Sequence, residues 1–111
     1  MTTILHVENS STVRAILKTR LRRHDPTIDI IEARSLCAAR VALAMLRHRQ
    51  IDLVVIDWSL PDGLASDILP LLSGLRCVVV TANPSEVNGF VEVLDKADPK
   101  WIDPVIGRIR R

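Results

Sequence analysis

The 111-residue sequence predicts an α/β fold with a central parallel sheet and helices on both of its faces. The run Ile51-Asp52-Leu53-Val54-Val55-Ile56 is almost wholly apolar, ends at Asp57, and meets the turn Trp58-Ser59-Leu60-Pro61-Asp62-Gly63. A short apolar stretch bounded by Pro and Gly reads as a buried strand of a parallel sheet. Similar apolar runs start at Ile4, Ile28 and Leu75, and segments of helical period alternate with them. Strand and helix in alternation with short connections imply right-handed crossovers between parallel strands.

Ile4 to Val7 is the first strand, and the polar cluster Glu8-Asn9-Ser10-Ser11-Thr12 supplies caps for a helix to about Arg23. Val13, Ile16, Leu17 and Leu21 follow the helical period and are expected inside. His24-Asp25-Pro26 breaks that helix, and Ile28 to Ala33 is the second strand. Ser35 caps a second helix through about His48, with Leu36, Ala39, Leu43 and Leu46 inward. The third strand is Ile51 to Ile56, a short helix follows from about Leu64 to Leu72, and Leu75 to Val80 is the fourth strand. Beyond Thr81 the pattern is compressed, with room for about two helical turns before a fifth strand at Phe90 to Leu94. A last helix must fit between Asp98 and Arg111, with Pro104 opening it and Asp103 as its cap.

A hydrophobic share of 48% suits a single domain over residues 1–111. No stretch has the length and apolarity of a membrane helix and no signal peptide opens the chain, so a soluble, cytoplasmic protein is expected. Cys37 and Cys77 lack metal or redox spacing and are expected to be reduced, buried thiols. Residues 1–50 carry nine Lys/Arg against four Asp/Glu, and residues 51–111 carry six against nine. Arg14, Lys18 and Arg22 share one helical stripe, which reads as a solvated face, and no nucleic-acid reading module accompanies it. His6, His24 and His48 lack metal-ligand spacing and are read as structural.

Glu8 and Asn9, Asp57, Thr81 and Lys96 each fall just after a predicted strand. The carboxyl ends of parallel strands share one edge, where ligands collect in open α/β sheets. Carboxylates, a hydroxyl and an ammonium brought together there suit a hard divalent cation and a phosphoryl group.

Over essentially its whole length the chain resembles the receiver domain of two-component response regulators. The likeness rests on Ile4-Leu5-His6-Val7-Glu8-Asn9-Ser10, Asp57-Trp58-Ser59-Leu60-Pro61-Asp62-Gly63, Val79-Val80-Thr81-Ala82, and Gly89 followed seven residues later by Lys96, in that order. The resemblance implies a flavodoxin-like (βα)5 three-layer sandwich with a five-stranded parallel sheet. It implies that Asp57 takes a phosphoryl group from a phosphohistidine on a sensor histidine kinase or histidine phosphotransfer protein. Mg²⁺ would be held by Asp57, by Glu8 and Asn9, and by the backbone carbonyl of Ser59. Lys96 would pair with one phosphoryl oxygen, and Thr81 would swing onto another. Ser59 and Asn83 would tune the loss of the group to water. The domain would then signal by protein–protein contact and not as an enzyme, with neither membrane nor nucleic acid as its partner.

Several positions depart from the family pattern. Asn9 replaces a second acidic residue, which removes a charge beside the expected dication. Ala97 replaces a proline after the lysine, and Val93 replaces an aromatic residue common in the family. Only 15 positions separate Thr81 from Lys96, so the fourth helix must be short. These departures keep a second reading open, a pseudo-receiver that binds partners without phosphorylation. A small hydrolase would need a nucleophile elbow or a phosphate-binding glycine loop, and the sequence has neither.

Overall fold

The computed structural model describes residues 2–46, 51–90 and 92–109. In chain order the elements begin with β1 (Thr3–Val7), α1 (Ser11–His24), β2 (Asp29–Ala33), α2 (Leu36–Met45) and β3 (Leu53–Asp57). A two-stranded hairpin follows, β4 (Ser59–Leu60) and β5 (Gly63–Leu64), then a 3₁₀ helix (Ala65–Leu72) and β6 (Cys77–Thr81). A 3₁₀ turn (Pro84–Glu86), β7 (Val93–Asp95) and α3 (Ile102–Ile109) complete the chain.

Five strands form one parallel sheet in the order β2-β1-β3-β6-β7. Alternate residues of each strand feed opposite faces, as the pleat requires. Leu5, Val7, Val54 and Ile56 pack with Leu36, Ala39, Ile68 and Leu72 on one face. Ile4, Leu53, Val55 and Val78 pack with Leu17, Leu21, Ile102 and Val105 on the other. Both faces are thus covered, which is why the strands read as continuous apolar runs. The chain leaves β1 for β2 on one side and returns for β3 on the other, so the order reverses between β1 and β3 and opens a crevice at their carboxyl ends.

The helix starts follow the expected chemistry at two places. The Ser10 hydroxyl accepts the Val13 amide at 3.2 Å and the Ser35 hydroxyl accepts the Ala38 amide at 3.0 Å, each using one donor left over in a first helical turn. Elsewhere the structure corrects the sequence reading. Ile16 was expected inside and is 48% exposed, because the inward stripe of α1 narrows to Leu17 and Leu21 with Val13 at its margin. The segment after the hairpin is 3₁₀, with Pro70 inside it, a residue that lacks the N–H an α-helix would use. The expected fifth strand shifts to Val93–Asp95, while Phe90 lies before it and packs beside the core. Helix α3 begins at Ile102, so Pro104 is its third residue and Asp103 lies inside its first turn, where it pairs with Arg20 at 2.8 Å instead of capping. Cys37 is a free thiol but an exposed one, since it faces outward in the first turn of α2. Helix α2 ends at Met45, and His48 lies outside the described residues. Among the described residues, no helix is long and apolar enough to cross a membrane.

The compression after Thr81 is as expected and goes further, to a single 3₁₀ turn of 3 residues in place of a fourth helix. The backbone then meets β7 in register, with Thr81 opposite Asp95.

Candidate functional site

The parallel register places the carboxyl ends of β1, β3, β6 and β7 along one edge of the sheet. Glu8 follows β1 and is held by its amide on the Ala33 carbonyl at 2.9 Å. Asp57 ends β3, opposite Val80 of β6. Lys96 follows β7, and its amide donates to the Thr81 carbonyl at 2.7 Å, which continues the ladder past its last strand residue.

These ladders bring three charged side chains together. The Lys96 ammonium lies 2.8 Å from Glu8 Oε1 and 3.4 Å from Asp57 Oδ2. The other Glu8 oxygen, Oε2, accepts the Ser10 amide at 3.0 Å, so a carboxylate 2% exposed as a residue has donors on both oxygens. Asp57 is the more open of the two carboxylates. Its pKa is raised, first by burial and then by the negative charge of Glu8, and the nearby Lys96 does not offset them. Burial pulls Lys96 down, but its hydrogen bond to Glu8 and the charge of Asp57 outweigh that and raise its pKa, so it stays protonated. Lys96 therefore belongs first to Glu8, leaving Asp57 a carboxylate whose charge is only partly compensated.

The loops complete the edge. The buried Thr81 hydroxyl accepts the Asn83 amide at 3.1 Å, and Asn83 and Ser59 are both exposed. Ala97, which stands where a proline was expected, donates its amide to Asp95 Oδ1 at 2.8 Å, a bond proline could not make. Trp58 is buried against Phe90, ring edge to face with centroids 6.4 Å apart, and serves as a packing residue.

A hard cation would find the Asp57 carboxylate, the exposed Asn9 side chain and the backbone carbonyl of Ser59 as oxygen donors on this edge. Two carboxylates, Glu8 and Asp57, share one ammonium, Lys96, and this excess of negative charge on the edge fits a cation. Among the described residues, no group of three or more His, Cys, Asp or Glu side chains gathers to hold a metal ion.

Among solved structures, the chain is similar to the non-phosphorylated HemR receiver domain from Leptospira biflexa. The identity is 25%, the match covers 100% of this chain and 93% of that one, and the TM-score is 0.75. The MaeR response regulator bound to beryllium trifluoride matches at 28% identity over 99% of this chain and 98% of that one, with a TM-score of 0.64. The chain has the receiver fold of response regulators. A response regulator from Burkholderia pseudomallei, with a phosphorylated aspartic acid, a calcium ion and citrate, shares this fold at 17% identity and a TM-score of 0.74 over 99% of this chain and 67% of that one. No protein-family model and no curated protein matches the sequence.

Two residues of this edge and its loops escaped the sequence reading. Arg14 was read as part of a solvated stripe, yet it donates from Nη1 to the carbonyls of Glu8 at 2.7 Å and Asn9 at 3.1 Å. Asp62, read only as a turn residue, accepts the Leu36 and Cys37 amides at 2.8 and 2.9 Å and so ties the loop after Asp57 to the start of α2. Those two amides hold its carboxyl below its ordinary pKa. Spacing along a helix signals neither contact, since Arg14 turns back onto the loop before its own helix and Asp62 reaches across the fold.

Proposed function

We propose that this receiver is a phosphoacceptor of a two-component or phosphorelay system, with Asp57 as the acceptor. The reading is carried by one observation, the Lys96 ammonium lying between Glu8 at 2.8 Å and Asp57 at 3.4 Å on the carboxyl edge. A carboxylate oxygen of Asp57 attacks phosphorus on a phosphohistidine, an O–P bond forms as the N–P bond breaks, and the departing imidazole takes up a proton. Such a transfer asks the protein mainly for in-line positioning and charge neutralisation. Asp57 meets the first need by being fixed at a strand end with its side chain partly exposed. Lys96 meets the second by moving from its carboxylates toward the arriving phosphoryl oxygens. The Thr81 hydroxyl, which accepts the Asn83 amide, donates its proton to another phosphoryl oxygen, which draws its loop toward the edge. Mg²⁺, held by Asp57, Asn9 and the Ser59 carbonyl, and by the Glu8 oxygen that Lys96 gives up on moving, would supply further charge neutralisation at this edge. The donor is a sensor histidine kinase or histidine phosphotransfer protein, and the output is protein–protein contact.

Support for acceptance comes from the neighbours, one bound to beryllium trifluoride and one with a phosphorylated aspartic acid and a calcium ion. Asn9, together with the Arg14 guanidinium on its carbonyl, favours the second reading, a pseudo-receiver. Intact mass after incubation with Mg²⁺ and acetyl phosphate separates the two. The parent is expected to gain one phosphoryl group and Asp57→Asn none; an unmodified parent at high magnesium selects the pseudo-receiver.

A further inference from the structure

The loop between β1 and α1 is gripped from two directions. From below, Glu8 Oε2 holds the Ser10 amide at 3.0 Å. From above, a single nitrogen of Arg14 spans two successive carbonyls, at 2.7 Å to Glu8 and 3.1 Å to Asn9. The Arg14 side chain is only 18% exposed, so its charge is not spent on water. Its nearest acidic partner, Glu32, stands 3.9 Å away and is shared with Lys18 at 3.2 Å. Helix α1 has no acidic residue in its first turn, so Glu8, on the amide of the N-cap Ser10, is the carboxylate that meets the positive end of its dipole. Asn9, a neutral residue, thus has a guanidinium on its backbone carbonyl and lies just before a helix N-terminus.

We propose that Arg14 is a positioning residue that clamps the Glu8–Ser10 loop through its carbonyls and, by its charge, sets this edge to hold divalent cations weakly. The proposal deepens the phosphoacceptor reading and rests on it. The hydrogen bonds fix the loop's shape, and the charge sets its affinity. Arg14→Gln separates the two roles, because glutamine keeps an N–H donor and loses the charge. Arg14→Lys keeps the charge and replaces the guanidinium N–H donor with an ammonium on a shorter side chain.

Mn²⁺ alone is the probe, with the free ion counted by electron paramagnetic resonance at low salt. Arg14→Gln is expected to bind Mn²⁺ about fivefold more tightly than the parent, the size of one unit charge acting on a dication across a few ångströms of solvated protein. The ratio should shrink toward one in molar salt. Arg14→Lys should stay near the parent. Glu32→Gln, which strips Arg14 of its acidic partner, should weaken binding about twofold and gives a reading of opposite sign should Arg14→Gln fold poorly. Equal or weaker Mn²⁺ binding by a folded Arg14→Gln, or no weakening by Glu32→Gln, overturns the proposal, as does failure of both parent and Arg14→Gln to bind. Phosphoryl uptake from acetyl phosphate is scored on the same samples. A parent that binds Mn²⁺ but takes no phosphoryl group counts against the phosphoacceptor reading and not against the role of Arg14.

Discussion

The chain up to Asp57 and the chain after it build one sheet from different materials. The first part sets α-helices of 14 and 10 residues between strands of 5 residues. The second keeps one strand of 5 residues and an α-helix of 8 but otherwise uses a 3₁₀ helix containing Pro70, a 3₁₀ turn of 3 residues and a last strand of 3 residues. Each part nevertheless delivers two polar residues to the same edge, Glu8 and Asp57 from the first, Thr81 and Lys96 from the second. What the site needs from the fold is strand register; the covering elements can shrink while the edge persists. The parallel ladder enforces this, since the Lys96 amide reaches the Thr81 carbonyl whatever the chain does between them.

The largest effect that probes this contrast belongs to His6, in the middle of β1. Its residue is 2% exposed and its Nδ1 has no partner among the described residues. Burial, then the charges of Arg14 and Lys96, push its imidazole down to about 3 from 6.5. The unfolded chain therefore binds a proton between those values that the folded chain refuses, and stability falls as pH drops through that window. The loss amounts to about 1.4 kcal/mol for each unit of pH. His6→Leu should remove this slope and raise stability near neutrality, checked by urea denaturation from pH 7 to pH 4. A slope unchanged in the variant would show that the first part is not held by a neutral histidine.

Next in size is Gly63, where the two parts join. Its φ of +145° disfavours any side chain, and a Cβ there would lie 2.5 Å from Asp67 Oδ2 and 2.9 Å from Leu36 Cδ1. Gly63→Val should cost about 3 kcal/mol, from steric conflict added to backbone strain. A loss below about 0.5 kcal/mol would mean that the hairpin is loosely tied to α2.

The smallest effect is a cap. Ser10→Ala removes the acceptor for the Val13 amide and should cost about 1 kcal/mol. Its value is in sharpening the comparison, since the 3₁₀ turn at Pro84–Glu86 has no side-chain cap to lose. Thermal melts of the variant should shift while the Lys96 contacts at the edge persist.

Much of this architecture was legible in the residues. Asp57 stood out because an apolar run stops at it, and the short stretch from Thr81 to Lys96 could not hold a full helix. The partners of these residues were not legible, because they depend on angles across the sheet. Nothing in the spacing places Lys96 nearer to Glu8 than to Asp57, or turns Arg14 back onto the loop before its own helix. The 3₁₀ form of Ala65–Leu72 and the displaced start of α3 were missed for another reason. Pro70 and Pro104 mark a constraint on the backbone without stating which neighbouring turn absorbs it. Ile16 obeyed the helical period and still faces outward, since period alone does not set the width of a buried stripe.

The claim that one sheet edge assembles the site from both parts is tested most directly by amide NMR with Mg²⁺ and beryllium trifluoride. The account expects shifts at Glu8 to Ser10, at Asp57 to Ser59, at Thr81 to Asn83 and at Lys96, all saturating together. Shifts at Asp57 with Thr81 and Lys96 unmoved, or no shift along the edge at all, would contradict it.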